Sequence, residues 1–285
     1  MDSNSLLISG NSYFDIVVTN QKHVASGSNS RGEIQLALGG VFNISRALVE
    51  LEIKHGIYTL VGSPVNKENL WQFAQFGLSS NLEDFLDVKV IFDSEFMCIA
   101  LINQDIEDAS RTSIVKNGVG RNLQPLISSS FSHQHISYID NLPHFSAFSL
   151  SQMRQDGQFI SVDLCLNDPS ESEIDLTLGK IEKVDLVMMS ESEFEGLFLK
   201  KCSLKSVESI TNSIENLIVH GEGRIIIRTQ DTLEEVPGRR KDVTKVLGLG
   251  DRFISYFYAS FLDDIDIAFA ARTAFWQLQK EVWSK

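Results

Sequence analysis

Gly248-Leu249-Gly250-Asp251 opens a run in which Phe253, Ile254, Phe257, Tyr258, Phe261 and Leu262 recur at helical spacing. Glycines at a helix start let backbone N–H groups come close to an anion, and the helix dipole adds attraction. A carboxylate one residue later is placed to take a proton from a hydroxyl that attacks a phosphoryl group held in that turn. Asp251 is therefore a candidate catalytic base, and the backbone of Gly248, Leu249 and Gly250 a candidate anion cradle. The same four residues also read as a plain helix start with a capping aspartate.

Other polar residues stand beside apolar runs. Asp15 and Asn43 are either ligand-binding groups or caps, Asn43 as an N-cap before Ala47, Leu48 and Leu51. Asp163 reads as a strand-end residue, and Glu193 lies in the acidic stretch 191–195 that suits a solvated helix N-terminus. His133-Gln134-His135 has no cysteine or acidic partner nearby, so a solvated loop is expected there rather than a metal site. Cys98, Cys165 and Cys202 are far apart with no paired spacing and are expected as reduced thiols in the core.

Short Ile, Val and Leu-rich runs and helical patterns alternate around these groups. Strands are expected at 6–9, 16–19, 57–61, 88–92, 97–102, 136–139, 159–162, 186–189 and 224–228. Helices are expected over 43–54, 67–76, 146–155, 191–199, 204–219, 250–262 and 265–283. The alternation predicts an α/β fold, a doubly wound and mainly parallel sheet covered by helices on both faces, spanning 1–285 as one domain. Two polar, β-compatible stretches, 21–38 and 105–121, interrupt it and are expected to form a small β-lid.

A length of 285 residues with 43% hydrophobic content supports a full core. A net charge of −13 argues against a nucleic-acid partner, whose phosphates require surplus Lys and Arg. An anionic ligand would have to be met by a local field such as a helix N-terminus. The stretch MDSNSLLISGNSYFDIVV has neither a basic region nor a continuous apolar core of the signal-peptide kind, and no apolar run has membrane-spanning length. A cytoplasmic protein without a membrane partner is expected.

The segment at 248–253 resembles the G-A-G-D-x-F signature of the ribokinase-type carbohydrate and nucleoside kinases, and further segments match that family in order. GNSYFDIVV, with Gly10 and Asp15, resembles the first strand, whose aspartate binds substrate hydroxyls. LGGVFNISRALVEL resembles the G-G-x-x-x-N segment, one residue short, making Gly39, Gly40 and Asn43 substrate-site candidates. EDASRTSIVKNGVG resembles the lid strand with its R-T pair, here Arg111 and Thr112. FISVDLCLN resembles the D-x-N-x-R strand. VDLVMMSESEFEGL resembles the N-x-x-E segment, with Ser190 at the asparagine position and Glu193 keeping the carboxylate that helps organise hydrated Mg²⁺. Lys245-Val246-Leu247 replaces the usual D-T-T, which leaves a monovalent-cation site open, with Asp242-Val243-Thr244 as a displaced remnant. The glycine-bearing T-x-G-x-x-G nucleotide loop is expected after RIIIRT, reduced to Thr229-Gln230-Asp231.

The resemblance implies an ATP- and Mg²⁺-dependent phosphotransferase acting on an alcohol group of a sugar, nucleoside or related polyol. Ser190, Glu193 and Thr229 would lie on the cofactor side, with Glu193 toward the metal, and two copies could pair through the lid. The altered Ser190 and nucleotide loop leave room for a weakly active or inactive relative serving as a sensor or scaffold.

Overall fold

The computed structural model describes residues 5–20, 32–75, 86–105, 111–116, 118–119, 123, 126, 130–137, 147–164, 170–210, 214–221, 223–238, 248–264 and 266–283. In chain order the strands are β1 (Leu6–Gly10), β2 (Ser12–Asn20), β3 (Gly32–Gly40), β4 (His55–Ser63), β5 (Leu86–Phe96), β6 (Cys98–Asp105), β7 (Arg111–Lys116), β8 (His133–Ser137), β9 (Phe159–Asp163), β10 (Leu186–Ser190), β11 (Leu217–His220), β12 (Arg224–Arg228) and β13 (Leu233–Pro237). The helices are α1 (Val41–Glu50), α2 (Leu70–Ala74), α3 (Ala147–Gln155), α4 (Glu171–Ile181), α5 (Glu191–Phe198), α6 (Leu204–Ser209), α7 (Leu249–Asp264) and α8 (Ile267–Trp283).

Nine strands form the main sheet in the order β13-β12-β11-β10-β9-β8-β1-β4-β5. The run from β11 to β5 is parallel throughout, and β12 and β13 pair antiparallel at one edge. Parallel strands need both faces covered, and alternate residues of single strands here enter two different cores. Leu186 and Met188 of β10 pack with Phe253, Phe257 and Phe261 of α7 and with the alanines of α8. Val187 and Met189 pack with Leu150 of α3, Ile181 of α4, Phe194 of α5 and Val207 of α6. This is the expected doubly wound α/β architecture.

Strand order reverses between β1 and β8, the kind of crevice where open α/β sheets receive ligands. A second sheet, ordered β3-β2-β6-β7, rises from that point. It contains β2 and β6, which the sequence pattern placed in the main sheet, together with β3 and β7. Direct pairing sets Leu36, Ile16, Leu101 and Ile114 in one row across its four strands. Tyr13, Val17, Cys98, Ala100 and Ile102 cluster on the opposite face.

Four expectations are corrected. The run 204–219 is a six-residue helix, α6, and then the strand β11, because the apolar Leu217–Val219 is too short to distinguish a strand from a helix tail by periodicity. β13 and α4 are additional elements. Asp15 lies on β2 of the second sheet, since β1 ends at Gly10. His133-Gln134-His135 is not a solvated loop but the buried strand β8. His135 Nδ1 lies 2.7 Å from Ser161 Oγ, which in turn meets the Tyr258 hydroxyl, while Gln134 Nε2 donates to Ser9 Oγ at 2.9 Å. Partners distant in sequence thus make this polar strand tolerable in the interior. Cys98 and Cys202 are buried thiols, as expected, while Cys165, the segments 21–31 and 106–110, and the stretch 239–247 with Asp242-Val243-Thr244 and Lys245-Val246-Leu247 lie outside the described residues.

Candidate active site

Gly248 has φ +80°, a left-handed conformation that glycine adopts without the Cβ penalty, and α7 begins at the next residue. Asp251 is only 4% exposed, and its Oδ2 would lie 3.7 Å from a Cβ added at Gly248, so the carboxylate folds back over the turn. The amphipathic face of α7 sets this position. Phe253, Ile254, Phe257, Tyr258 and Phe261 anchor the helix in the core and carry its first turn to the carboxyl edge of the sheet.

Two more carboxylates share that edge. Asp163 ends β9, paired with Met188, and Ser190 ends β10 at the level of His220 on β11. Burial raises the Asp163 carboxyl well above its ordinary range, and the charges of Glu193 and Asp251 push it further the same way. Asp163, Glu193 and Asp251 therefore lie in one another's field. Ser190 caps α5. Its hydroxyl accepts from the Glu193 N–H at 3.2 Å, and Glu193 Oε2 accepts from the Ser190 N–H at 2.6 Å. The S-x-x-E spacing before an apolar run was a readable sign of this box.

The other half of the site is built where the second sheet joins the first. A Cβ on Gly39 would lie 2.0 Å from Asp15 Oδ2, so the Asp15 carboxylate occupies the space that any larger residue would fill. Gly40 has φ +64°, and a Cβ there would lie 2.2 Å from the Asn11 carbonyl. Both glycines of the shortened motif are thus required, each for its own reason. Gly40 is also the N-cap of α1, so Asn43 is not the cap that its spacing suggested but the third residue of the helix, its Oδ1 accepting from Arg46.

α1 and α7 bring the two halves together. Ser255 Oγ lies 2.7 Å from the Asp251 carbonyl and 3.2 Å from the Ile44 carbonyl, beside Asn43, and Arg252 pairs with Glu50 at 2.6 Å. Arg111 is not brought to Asp15 by this register. It pairs with Gln104, four residues along β6 from Ala100, the partner of Asp15, which is roughly 14 Å of strand.

Thr229 stands apart from the site. β12 runs antiparallel to β11, with Ile225 level with His220 and Arg228 level with Leu217. Thr229 therefore lies at the amino edge of the parallel strands, roughly 14 Å along β12 from the level of Ser190. Its hydroxyl accepts from the Asp231 and Thr232 N–H groups in the tight turn between β12 and β13. The connection that does leave the carboxyl edge follows β11, with Gly221 and Gly223 flanking one residue. Gly221 donates to the Arg224 carbonyl at 2.9 Å, and Gly223 accepts from the Gly238 N–H at 2.7 Å. His220, at the head of this turn, has its ring 5.7 Å from that of Phe253 and its pKa lowered to about 4 by burial, partly offset by Glu191.

No protein-family model matches the chain, and no curated protein sequence matches it. Solved structures do. Ribokinase from Thermotoga maritima has a TM-score of 0.68 and 14% identity, over 98% of this chain and 92% of that one. A nucleoside kinase from Methanocaldococcus jannaschii, an archaeal member of the ribokinase family, has a TM-score of 0.68 and 18% identity, over 99% and 92%. Burkholderia thailandensis nucleoside kinase, in complex with inosine, has a TM-score of 0.68 and 19% identity, over 97% and 91%. The chain has the fold of the ribokinase-type carbohydrate and nucleoside kinases, at low sequence identity to these structures. No helix among the described residues is long and apolar enough to cross a membrane.

Proposed function

We propose that the protein is a small-molecule kinase that transfers the terminal phosphoryl group of ATP to an alcohol of a sugar, nucleoside or related polyol. The observation that carries this reading is the Gly248 turn opening α7, with the buried Asp251 carboxylate folded over it, at the carboxyl edge of the sheet. Asp251 takes the proton of the attacking hydroxyl, and the first N–H groups of α7 meet the transferring phosphoryl group. Such transfer depends on positioning and charge neutralisation more than on covalent help. Asp15 and Asn43 bind acceptor hydroxyls, with Gly39 and Gly40 shaping the backbone beneath them. The nucleotide lies along the turn after β11 rather than at Thr229.

The carboxylates of Asp163, Glu193 and Asp251 suit a nearby divalent cation, whose charge would relieve their mutual repulsion. No three His, Cys, Asp or Glu among the described residues converge as a direct ligand set, so Glu193 and Asp163 would hold hydrated Mg²⁺ through water. Bound there, the cation would neutralise phosphate charge.

A screen of ATP consumption against sugars and nucleosides, with Mg²⁺ and K⁺ supplied, tests the reading. Turnover with at least one acceptor is expected, and Thr229→Val should leave the nucleotide KM within about twofold of wild type. Acceptor binding without phosphate transfer across the panel would replace the kinase with a sensor or scaffold. So would the absence of any nucleotide binding.

The second sheet serves as a lid over the acceptor, and its outer face as a contact between two copies. Ile34 and Ile114 are each 70% exposed on the face that also carries Leu36 and Leu101, an apolar patch of the kind that pairs subunits. Ile34→Lys with Ile114→Lys should convert a dimer to a monomer in sedimentation while leaving the fold intact. A wild type that sediments as a monomer at micromolar concentration refutes the pairing.

A further inference from the structure

Arg46 is a half-buried cation on α1 that touches three different parts of the protein. Its Nη1 donates to the Leu38 carbonyl at 2.9 Å and to the Ala74 carbonyl at 2.7 Å, and its Nη2 donates to Asn43 Oδ1. Leu38 immediately precedes Gly39, against which the Asp15 carboxylate rests. The neighbouring Gln75 repeats the pattern. Its Nε2 donates to the Leu36 carbonyl at 2.8 Å, and its Oε1 accepts from Gln35 Nε2 at 3.0 Å. Leu36 and Leu38 are two residues apart on β3, which among the described residues ends its sheet and pairs with β2. Their carbonyls lie along the edge turned away from β2, so Arg46 and Gln75 fasten that edge to α1 and to the end of α2.

The guanidinium also decides which way the Asn43 amide faces. It has only donors, so the group it meets must be the amide oxygen, and the Asn43 NH₂ is turned away from Arg46. If Asn43 and Asp15 meet one ligand, as the proposed acceptor site has them, Asn43 offers it donors and Asp15 acceptors. A hydroxyl both donates and accepts, so the pair suits an alcohol-bearing ligand and disfavours a carbonyl or carboxylate at the same place, since neither donates to Asp15.

We propose that Arg46 is a positioning residue of the acceptor site, fixing the Asn43 amide and the β3 backbone that seats Asp15. This rests on the kinase reading for the identity of the ligand, but the anchoring does not. Lysine at position 46 can reach one carbonyl but cannot span three acceptors in a plane, whereas methionine keeps only the apolar stem.

Arg46→Lys and Arg46→Met in the full chain provide the test, read by amide hydrogen exchange over residues 33–40, thermal midpoint, and acceptor KM and kcat with D-ribose, D-fructose, inosine and adenosine. Exchange over 33–40 should quicken by about tenfold in Arg46→Met, the scale of losing hydrogen bonds from a charged donor, and less in Arg46→Lys. Acceptor KM should rise by about tenfold with kcat within about twofold, and nucleotide KM should not move. Unchanged exchange over 33–40 overturns the proposal. So does a change spread over the whole chain with a matching fall in thermal midpoint, or a loss of kcat with acceptor KM unmoved. A wild type that phosphorylates none of the four acceptors counts against the kinase reading, and exchange over 33–40 then decides for or against Arg46 as the anchor.

Discussion

Asp251→Asn should abolish most turnover while leaving the protein folded and able to bind both ligands. Asparagine keeps the size of the side chain but cannot take a proton from the acceptor hydroxyl, and loss of a positioned base costs about 10²–10⁴ in rate. That corresponds to roughly 3–5 kcal/mol of transition-state stabilisation. Stability should hold or rise, because the substitution removes one of the two charges that push the Asp163 carboxyl upward. The same substitution should let Asp163 move back toward the ordinary carboxylate range. The measurement is kcat beside calorimetric affinities for nucleotide and acceptor, with the thermal midpoint as control. Equal turnover in wild type and variant would show that Asp251 is not the base, and a variant that loses binding as well would make it an anchor.

Acidification should unfold the protein well before carboxylate protonation alone would. Burial lowers His55 and His220 to about 4 and His135 to about 3. For His55 the Nδ1–H donated to the Ile53 carbonyl at 2.8 Å offsets only part of the effect of burial, and Nε2 faces Ser45 Oγ at 2.6 Å. In the unfolded chain each imidazole titrates near 6.5. Below that pH the unfolded state binds protons that the native state refuses, so stability is present above about 6.5 and falls toward the folded values. Each histidine contributes a slope of up to about 1.4 kcal/mol per pH unit, and three together about 4. Asp163 and Asp185, whose carboxyls are raised mainly by burial, act in the opposite sense and offset part of this. Against a usual stability of about 5–15 kcal/mol, unfolding is expected between about pH 6 and 4. Circular dichroism against pH measures it, and His135→Gln should flatten the slope by about one proton. Stability that is level from pH 7 to 5 would contradict the burial of these rings.

The long amphipathic repeat of α7 and the apolar parallel strands were legible in the sequence because burial on one or both faces leaves a periodic signature. The turn at Gly248 could be found because glycine spacing and a following carboxylate point to one chemistry. The boundary between α6 and β11 was not legible from apolar pattern, although Thr211-Asn212-Ser213 is a cluster of turn-favouring residues inside the supposed helix. That one boundary displaced the nucleotide loop to Thr229, because the last parallel strand was taken to be β12. Helix α4 carries little apolar periodicity, yet Ser170 and Glu173 form a capping box of the same spacing as Ser190 and Glu193. The polar first half of β8, before the strand expected from Ile136, was hidden for a different reason. Its histidines and glutamine are buried only because Ser9, Ser161 and Tyr258 meet them, and no local pattern reveals partners more than twenty residues away. The mutual field of Asp163, Glu193 and Asp251 likewise exists only once three strand and helix ends converge.

The fastening of β3 by Arg46 and Gln75 bears on how copies of the protein can meet. A sheet with two open edges can add strands at both, and head-to-tail addition propagates into ribbons and fibres. In the second sheet the β3 side already has its Leu36 and Leu38 carbonyls engaged by side chains of the same molecule. Strand addition at the β3 edge is therefore opposed, and if copies join edge to edge through this sheet they would do so at β7, as closed pairs and not chains. Arg46, proposed above to hold the acceptor site in shape, would thereby also oppose growth end to end.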